Sequence, residues 1–195
     1  MDEKKLKSLV NEFETPFYVI DLDMVRKRYE KLVKSLSFIS VRYASKSNFD
    51  PQLINTLNDL DTEYTTGSSQ EAAICYNLGA DLDNIQVTAV SPKQSSIRQL
   101  VKMSEINNNI SVSINDRQTL KRLLQSGYKG DVVLRFKPKY DLQDTSNYTD
   151  GSRMKFGMKE ARIEDCLNLM NNADASFKGF HSHLGGTVHP SNIDK

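Results

Sequence analysis

The sequence of 195 residues is poor in cysteine, has no excess of charge of either sign and contains no long hydrophobic run. Its two cysteines, Cys75 and Cys166, lie in helix-like segments without CxxC spacing or a nearby cluster of ligands. A disulfide framework or a structural zinc site is therefore not expected, and we predict two buried, reduced thiols. The 26 lysine and arginine residues balance 25 aspartate and glutamate residues without a long block of one sign, which argues against a nucleic-acid partner.

The chain also lacks any sign of a membrane segment. No uninterrupted apolar run approaches the ~20 residues of a membrane span, and the charged opening MDEKKLKSLVNEF has no apolar signal core. We therefore predict no membrane partner and a cytoplasmic location. With 38% hydrophobic and 26% charged residues, the composition is that of a soluble globular protein.

Short β-branched or aromatic runs alternate with longer amphipathic segments along the chain. The runs predicted as strands are FYVID (17–21), SVRYASK (40–46), DTEYTT, IQVTAV, ISVSIN, DVVLRF and FKGFHSH. The segments between them have the helical spacing of apolar residues. About six such βα-like repeats predict a parallel sheet with helical crossovers.

Two parallel architectures fit this pattern, a doubly wound sheet and a (β/α)8 barrel. Unusual polar residues lie at or just past the predicted strand ends, which favours the barrel, because barrel enzymes collect their chemistry at that face. These residues are Lys46, Thr66, Ser91, Arg135 and His183. Open α/β sheets also bind ligands at the carboxyl ends of their strands, so the pattern leaves both architectures open.

Lys46 stands at the end of what otherwise reads as a buried strand. In the partly desolvated mouth of a barrel, burial favours the neutral amine and makes it a nucleophile for a carbonyl group. A Schiff base with pyridoxal phosphate requires such a lysine. The alternative is a strand-end lysine that extends into water, and this segment alone favours that alternative.

The segment GFHSHLGG places His181 and His183 on the same side of a strand that leads into the glycine pair Gly185 and Gly186. Two such histidines can chelate zinc, but no third ligand is placed with comparable clarity, because no periodicity fixes His189. We therefore predict no metal. A neutral imidazole at the strand end can instead stack on an aromatic cofactor ring, while the glycines let the backbone approach a phosphate. A histidine satisfied by core hydrogen bonds fits His181 better than His183.

Six segments, in this order and at these separations, resemble the N-terminal barrel of the fold-type III pyridoxal-phosphate decarboxylases that act on diaminopimelate, ornithine and arginine. They are TPFYVIDLDMVRKRY, YASKSN, GSSQEAAICYNLGA, LRFKP, MKFGM and GFHSHLGG. The resemblance covers nearly the whole chain. It implies an α/β fold, the pyridoxal-phosphate-binding (β/α)8 TIM-type barrel of alanine racemase-like N-terminal domains.

The resemblance also implies roles for individual residues. Lys46 matches the family lysine of Tyr-Ala-x-Lys-x-Asn, which holds the cofactor covalently, and His183 matches the histidine that stacks on the pyridine ring. Arg135 matches a family arginine near the cofactor, and Lys155–Gly157 match the family's Lys-Phe-Gly. A racemase or aldolase of the same fold would use the same lysine, but the KFG and HxHLGG segments argue against it.

Two departures from the family pattern indicate a divergent member. The family has Gly-Ser after the histidine pair, with the serine on the cofactor phosphate, whereas this chain has Gly185 and Gly186. We still assign both glycines to cofactor binding, although a hydroxyl donor is absent unless Thr187 substitutes. Thr65 stands where the family has an aspartate on its second strand.

The long stretch between LRFKP and MKFGM favours one substrate. It contains TDGSRMKFG, similar to a loop of diaminopimelate decarboxylases, whereas ornithine decarboxylases look shorter here. The resemblance therefore implies decarboxylation of a basic or diamino amino acid, first of all meso-diaminopimelate to L-lysine in lysine biosynthesis. The alternatives are an ornithine- or arginine-type decarboxylase of polyamine synthesis and a non-catalytic decarboxylase-like binding protein.

The sequence ends soon after the sixth predicted strand of the sheet, while an eight-stranded barrel needs two more strands to close. The family's Gly-rich phosphate loop and C-terminal β-domain are also absent. We therefore expect residues 1–195 to be one partial barrel domain, the N-terminal part of a longer enzyme. The resemblance implies that the complete form is a homodimer with shared active sites.

Overall fold

A computed structural model describes residues 3–137 and 155–183 of the chain. This part of the chain contains one sheet of six parallel strands, and each strand pairs with the one before it in sequence. The strands are β1 Arg42–Ala44, β2 Glu63–Thr66, β3 Ile85–Val87, β4 Ser111–Ile114, β5 Asp131–Arg135 and β6 Ser176–His181. This sequential order is that of a barrel, because the strand order of a doubly wound sheet reverses at a switch point.

Seven α-helices are described: α1 Glu3–Glu12, α2 Leu22–Ser35, α3 Pro51–Asn58, α4 Ser69–Asn77, α5 Gln94–Ile106, α6 Arg117–Gln125 and α7 Ile163–Met170. Four of them begin behind a side chain that accepts a backbone N–H of the first turn, namely Asp21, Asp50, Ser68 and Asp116. None of these helices is both long enough and apolar enough to cross a membrane.

The strand predicted at residues 17–21 is wrong. In the described chain these residues pair with no strand, and Tyr18 is fully exposed. The helix that follows begins behind Asp21, whose carboxylate accepts the Met24 N–H at 3.0 Å. Aromatic and β-branched residues show that a segment fits a pleated surface, but they do not provide the neighbouring strand.

The hydrophobic core lies between the sheet and the helices that follow the strands. Its fully buried members come from both layers and include Ile54, Tyr64, Leu100, Ile114, Leu120 and Leu134. Every residue of β4 is buried, as in a parallel sheet that is covered on both faces. Because side chains alternate along a strand, Ser111 and Ser113 lie on the face opposite to the core residues Val112 and Ile114. The inner face of β4 is therefore polar.

The two cysteines are free and buried, as predicted. Burial is the largest cause that raises the pKa of each thiol. The Cys166 sulfur lies 3.3 Å from the Met158 sulfur inside the core. Both residues are structural rather than reactive, because a thiolate is disfavoured at either position.

Candidate cofactor site

Lys46 lies just beyond the first strand of the sheet. β1 ends at Ala44, and the lysine is the exposed middle residue of the 3-10 turn Ser45–Ser47. The Ser47 hydroxyl donates to the Ala44 carbonyl oxygen at 2.7 Å, and this local hydrogen bond helps to close the turn. The predicted strand through Lys46 is therefore too long, and the lysine is more exposed than the predicted half-buried position.

The residue before Lys46 is fully buried and is fixed by a neighbouring helix. Ser45 Oγ lies 3.2 Å from Glu71 Oε2 and 3.4 Å from the Thr65 carbonyl oxygen. Glu71, in the first turn of α4, also accepts the Gly67 N–H at 2.9 Å. These bonds tie the end of β1 to the end of β2 and to the start of α4. They fix the turn that carries Lys46.

Glu71 is a supporting residue that the sequence reasoning missed, although its signal is present. Ser68 and Glu71 have the Ser-x-x-Glu spacing of a capping box. Ser68 Oγ accepts the Glu71 N–H at 3.2 Å, and the Glu71 carboxylate returns to the backbone just before the helix. A capping box therefore marks the helix that positions the Lys46 turn.

Two of the predicted strand-end residues have local roles. Thr66 is fully buried, and its hydroxyl donates to the Ser68 carbonyl oxygen at 3.3 Å. Ser91 is exposed on the loop between β3 and α5, because β3 ends three residues earlier than the predicted strand.

Arg135 ends β5 and is buried, with a relative exposure of 6%. Its guanidinium carbon lies 5.6 Å from the centroid of the Phe156 ring. Its Nε is buried and has no hydrogen-bond partner. Burial lowers the pKa of Arg135, although an arginine remains charged at neutral pH.

The KFG segment returns to the end of β5 and fixes Phe156 there. Met158 donates its N–H to the Arg135 carbonyl oxygen at 2.8 Å, and Lys137 donates its N–H to the Met158 carbonyl oxygen at 2.8 Å. Gly157 has φ +93°, and a Cβ at this position would lie 3.0 Å from the Phe136 carbonyl carbon. Only glycine fits this close approach to the strand without strain.

A β-bulge brings the first histidine opposite Arg135. The pairing of β5 with β6 shifts by one residue between Val132 and Val133, so that Arg135 pairs with His181. Without the shift Arg135 would pair with Phe180, and His181 would lie on the other face of the sheet. The bulge therefore places an arginine and a histidine side by side on the inner face.

His181 is held by a hydrogen bond across that face. Its Nδ1 lies 2.7 Å from Ser113 Oγ on β4. Burial, followed by the positive charge of Arg135 and by His183, lowers the pKa of His181 to about 4. The ring is therefore neutral at physiological pH, and the bond to Ser113 agrees with the prediction that His181 is satisfied by hydrogen bonds, although the residue is only partly buried.

His183 lies two residues beyond β6 and is exposed. Its pKa is lowered first by desolvation, then by the positive charges of Arg135 and Lys46. Because parallel strands of one sheet end at the same edge, Lys46, Arg135 and His183 follow or end strands at that edge. These are the three described residues predicted for the site, and their roles there stay predictions.

The remaining predicted site residues, Gly185 and Gly186, lie outside the described residues, as do Thr187 and His189. Within residues 3–137 and 155–183, no three histidine, cysteine, aspartate or glutamate side chains are grouped so that they could hold a metal ion.

The site has the polar groups that a cofactor with anionic and hydrogen-bonding substituents needs. Two buried polar atoms without hydrogen-bond partners follow or end β4 and β5, namely Asn115 Oδ1 and Arg135 Nε. Buried polar groups are normally paired, so partners from a ligand are the simplest account of these two atoms near strand ends. Pyridoxal phosphate, with a phosphate, a phenolic oxygen and a ring nitrogen, offers such partners.

Known proteins resemble the chain over most of its length. The family described as pyridoxal-dependent decarboxylase, pyridoxal-binding domain, matches residues 22–193. Diaminopimelate decarboxylase of Aquifex aeolicus is 26% identical over 191 residues, which cover 94% of this chain and 44% of that protein. Lysine/ornithine decarboxylase of Selenomonas ruminantium is 25% identical over 185 residues, which cover 95% of this chain and 45% of that protein.

Solved structures show the same fold. Diaminopimelate decarboxylase of Helicobacter pylori, in a mutant form complexed with L-lysine, has a TM-score of 0.80 at 20% identity, covering 92% of this chain and 47% of that chain. The six sequential parallel strands thus form part of a TIM-type barrel, as the sequence predicts. The chain spans less than half the length of the curated relatives it matches. It belongs to the family of pyridoxal-dependent decarboxylases, since residues 22–193 match the pyridoxal-binding domain of that family.

Proposed function

We propose that this chain binds pyridoxal 5'-phosphate through Lys46 and supports the decarboxylation of a basic amino acid. The observation that carries the proposal is the position of Lys46, Arg135 and His183 at the same edge of the parallel sheet, together with the lowering of the pKa of His183 by desolvation and then by both cations. The family supports the choice of cofactor. The activities of the relatives support the substrate class.

Lys46 would hold the cofactor through its ε-amino group, because an amine is the nucleophile that adds to an aldehyde. The side chain is exposed, so the cofactor can reach it, and Ser45 and Glu71 fix the turn beneath it. When bound, pyridoxal phosphate supplies an electron sink for the electron pair of the bond that breaks at the substrate Cα.

His183 and Arg135 would complete the cofactor site with two different chemistries. A lowered pKa keeps the His183 ring neutral, which suits contact with the face of an aromatic ring. Arg135 keeps a positive charge in a buried position. Gly185 and Gly186 are proposed to let the backbone approach the phosphate, since a glycine carries no Cβ.

A titration of the purified protein with pyridoxal phosphate tests this proposal. We expect a visible absorption band, and we expect borohydride to fix the cofactor on the tryptic peptide that contains Lys46. Lys46→Ala should abolish both signals. Lys102→Ala, which removes an exposed lysine on α5, should leave them intact.

Labelling of other lysines with equal efficiency in Lys46→Ala would refute the assignment of Lys46. A folded protein that gives no band at cofactor concentrations in the millimolar range would contradict the cofactor proposal itself. That outcome would favour the alternative of a decarboxylase-like binding protein, for which Thr65 in place of the family aspartate is the supporting observation.

Among the basic amino acids we propose meso-diaminopimelate as the substrate, with L-lysine as the product. The proposal rests on the long TDGSRMKFG-containing stretch and on the diaminopimelate decarboxylase of Aquifex aeolicus among the relatives. A protein carrying this chain should release carbon dioxide from meso-diaminopimelate faster than from ornithine or lysine. The reverse order would assign it to the lysine/ornithine type.

We further propose that the protein acts in the cytoplasm as a homodimer with shared active sites. The composition, with 38% hydrophobic and 26% charged residues, supports the compartment. The family resemblance supports the dimer. Sedimentation of the cofactor-loaded protein would test the dimer, and a monomer at micromolar concentration would contradict it.

A further inference from the structure

Tyr43, on β1, bridges the turn that carries Lys46. Its hydroxyl donates to the Asn48 carbonyl oxygen at 2.8 Å, so the bond joins a strand residue before the lysine to a residue beyond the turn. The same hydroxyl lies 3.2 Å from Ser47 Oγ, which itself donates to the Ala44 carbonyl oxygen at 2.7 Å. The chain that leaves the turn is thus held against the strand that enters it.

The ring of Tyr43 is itself anchored in the core. It is partly buried and meets the ring of Tyr64 edge to face, with the centroids 6.4 Å apart and an interplanar angle of 88°. Tyr64 is fully buried, and its hydroxyl lies 2.6 Å from Asn58 Oδ1. A tyrosine combines an apolar body with a polar tip, so its two ends can contact the core and the surface at once. Tyr43 therefore ties the exposed turn to the fixed position of the core.

The exit of the turn is also fixed from the helix that follows it. Asn48 Oδ1 accepts the Asp50 N–H at 2.9 Å, and Asp50 is the N-cap of α3. Asn48 is therefore bonded to the start of α3 through its side chain and to Tyr43 through its carbonyl oxygen. The bonds of the buried Ser45 hold the entrance of the turn, whereas Tyr43 and Asn48 hold its exit.

We propose that Tyr43 is a positioning residue for Lys46, whose hydroxyl fixes the exit of the turn and with it the direction in which the lysine side chain leaves the backbone. An exposed lysine has a flexible side chain, so the backbone that carries it determines the region that its amine can reach. A reacting group that is already oriented reacts faster than one that must find its position. The inference rests on the proposed function, in which the amine joins the aldehyde carbon of the cofactor and one water is released.

The rate of cofactor attachment in two matched phenylalanine variants tests the inference. Tyr43→Phe keeps the ring and removes the hydroxyl, so it should slow the appearance of the borohydride-fixed label on Lys46 by about two- to tenfold, as expected for the loss of one hydrogen bond. Tyr64→Phe is the control, because it removes a core hydroxyl that bonds to Ile54 and Asn58 and should leave the rate unchanged. Equal rates in wild type and Tyr43→Phe, or equal slowing in the two variants, would overturn the inference.

A reaction that needs no binding site separates the position of the amine from its reactivity. Formaldehyde with cyanoborohydride methylates an exposed lysine directly from solution, so Lys46 should be methylated at the same rate in wild type and Tyr43→Phe. Lys102, exposed on α5, is the internal reference. Slower methylation of Lys46 in Tyr43→Phe would mean that the hydroxyl acts on the amine itself, and this result would overturn the positioning role.

The backbone order of the turn distinguishes failure of this inference from failure of the proposed function. In the cofactor-free protein, the nitrogen-15 relaxation order parameter of the Lys46 amide should fall in Tyr43→Phe and not in Tyr64→Phe. An unchanged order parameter in Tyr43→Phe would overturn the inference, whatever the result with the cofactor. A wild-type protein that takes no label at Lys46, while the order of the turn still depends on Tyr43, would refute the proposed function and support the bridge across the turn.

Discussion

Alanine at position 157 should destabilise the protein more than alanine at another glycine with the same backbone conformation. Gly157 has φ +93° and Gly127 has φ +85°, so either substitution forces a non-glycine residue into the left-handed region. At Gly127 a Cβ would have no atom within 4 Å. At Gly157 it would lie 3.0 Å from the Phe136 carbonyl carbon and 3.3 Å from the Lys137 nitrogen, atoms of a hydrogen-bonded strand end.

These contacts determine how much each substitution should lower the free energy of unfolding. The left-handed conformation alone costs about 1–2 kcal/mol for a residue with a Cβ, and this is the full expected effect of Gly127→Ala. Crowding against the backbone adds about 1–3 kcal/mol for Gly157→Ala. With a slope of about 2 kcal/mol per molar urea, the extra loss lowers the unfolding midpoint by about 0.5–1.5 M relative to Gly127→Ala.

Urea unfolding, followed by far-ultraviolet circular dichroism, measures the stability of both variants. Circular dichroism is the choice because the chain has no tryptophan for a fluorescence signal. The slopes of the two transitions should agree with that of the wild type. Hydrogen exchange at the Met158 amide, which donates to the Arg135 carbonyl oxygen, should accelerate only in Gly157→Ala. Equal midpoints and equal exchange in the two variants would refute the packing of residues 155–158 on the end of β5.

Three further perturbations address other parts of the structure. Glu71→Ala should lower the free energy of unfolding in urea by about 1 kcal/mol, because the helix cap is lost, and should slow borohydride labelling of Lys46. Glu105→Ala, at an exposed position of α5, should change neither quantity. Tyr64→Phe should lower the free energy of unfolding by about 1–2 kcal/mol, because Asn58 Oδ1 loses the hydroxyl donor that lies 2.6 Å away. Tyr76→Phe, at an exposed tyrosine, should leave the free energy of unfolding unchanged. His181 has a folded-state pKa of about 4, below the ordinary 6.5, so the unfolded chain takes up its proton first and stability should fall as pH drops from 6.5 to 4. In His181→Gln this part of the pH dependence should be absent, and an unchanged pH profile would contradict the burial of the imidazole.

The alternation of apolar runs and amphipathic segments was sufficient to predict the sheet and its parallel strands. It worked best at β4 and β5, because these strands are buried along nearly all of their residues, as in a sheet that is covered on both faces. It failed at residues 17–21, which have the composition of a strand and no partner in the described chain. The composition of a segment can favour a strand, but a strand forms only where a neighbouring strand is available for backbone hydrogen bonds.

In the candidate site, too, the sequence predicts some residues but not the contacts between them. Lys46, Arg135 and His183 could be singled out, because each follows or ends a strand-like run. The contact of Arg135 with Phe156 spans 21 positions of chain, and the hydrogen bond of His181 to Ser113 spans 68 positions, so no local pattern predicts them. The second of these also depends on the bulge in the pairing of β5 with β6, since a one-residue change of register reverses the face of every following side chain.

The sequential pairing of the strands has a consequence for how the chain folds as it is synthesised. Each strand from β2 to β6 pairs with the strand made just before it, so none waits for a partner that is encoded far downstream. From β1 to β5, each step of loop closure spans only one α-helix and its connections, which keeps the entropic cost of adding a strand small. The sheet can therefore grow at its newest edge while the ribosome is still extending the chain.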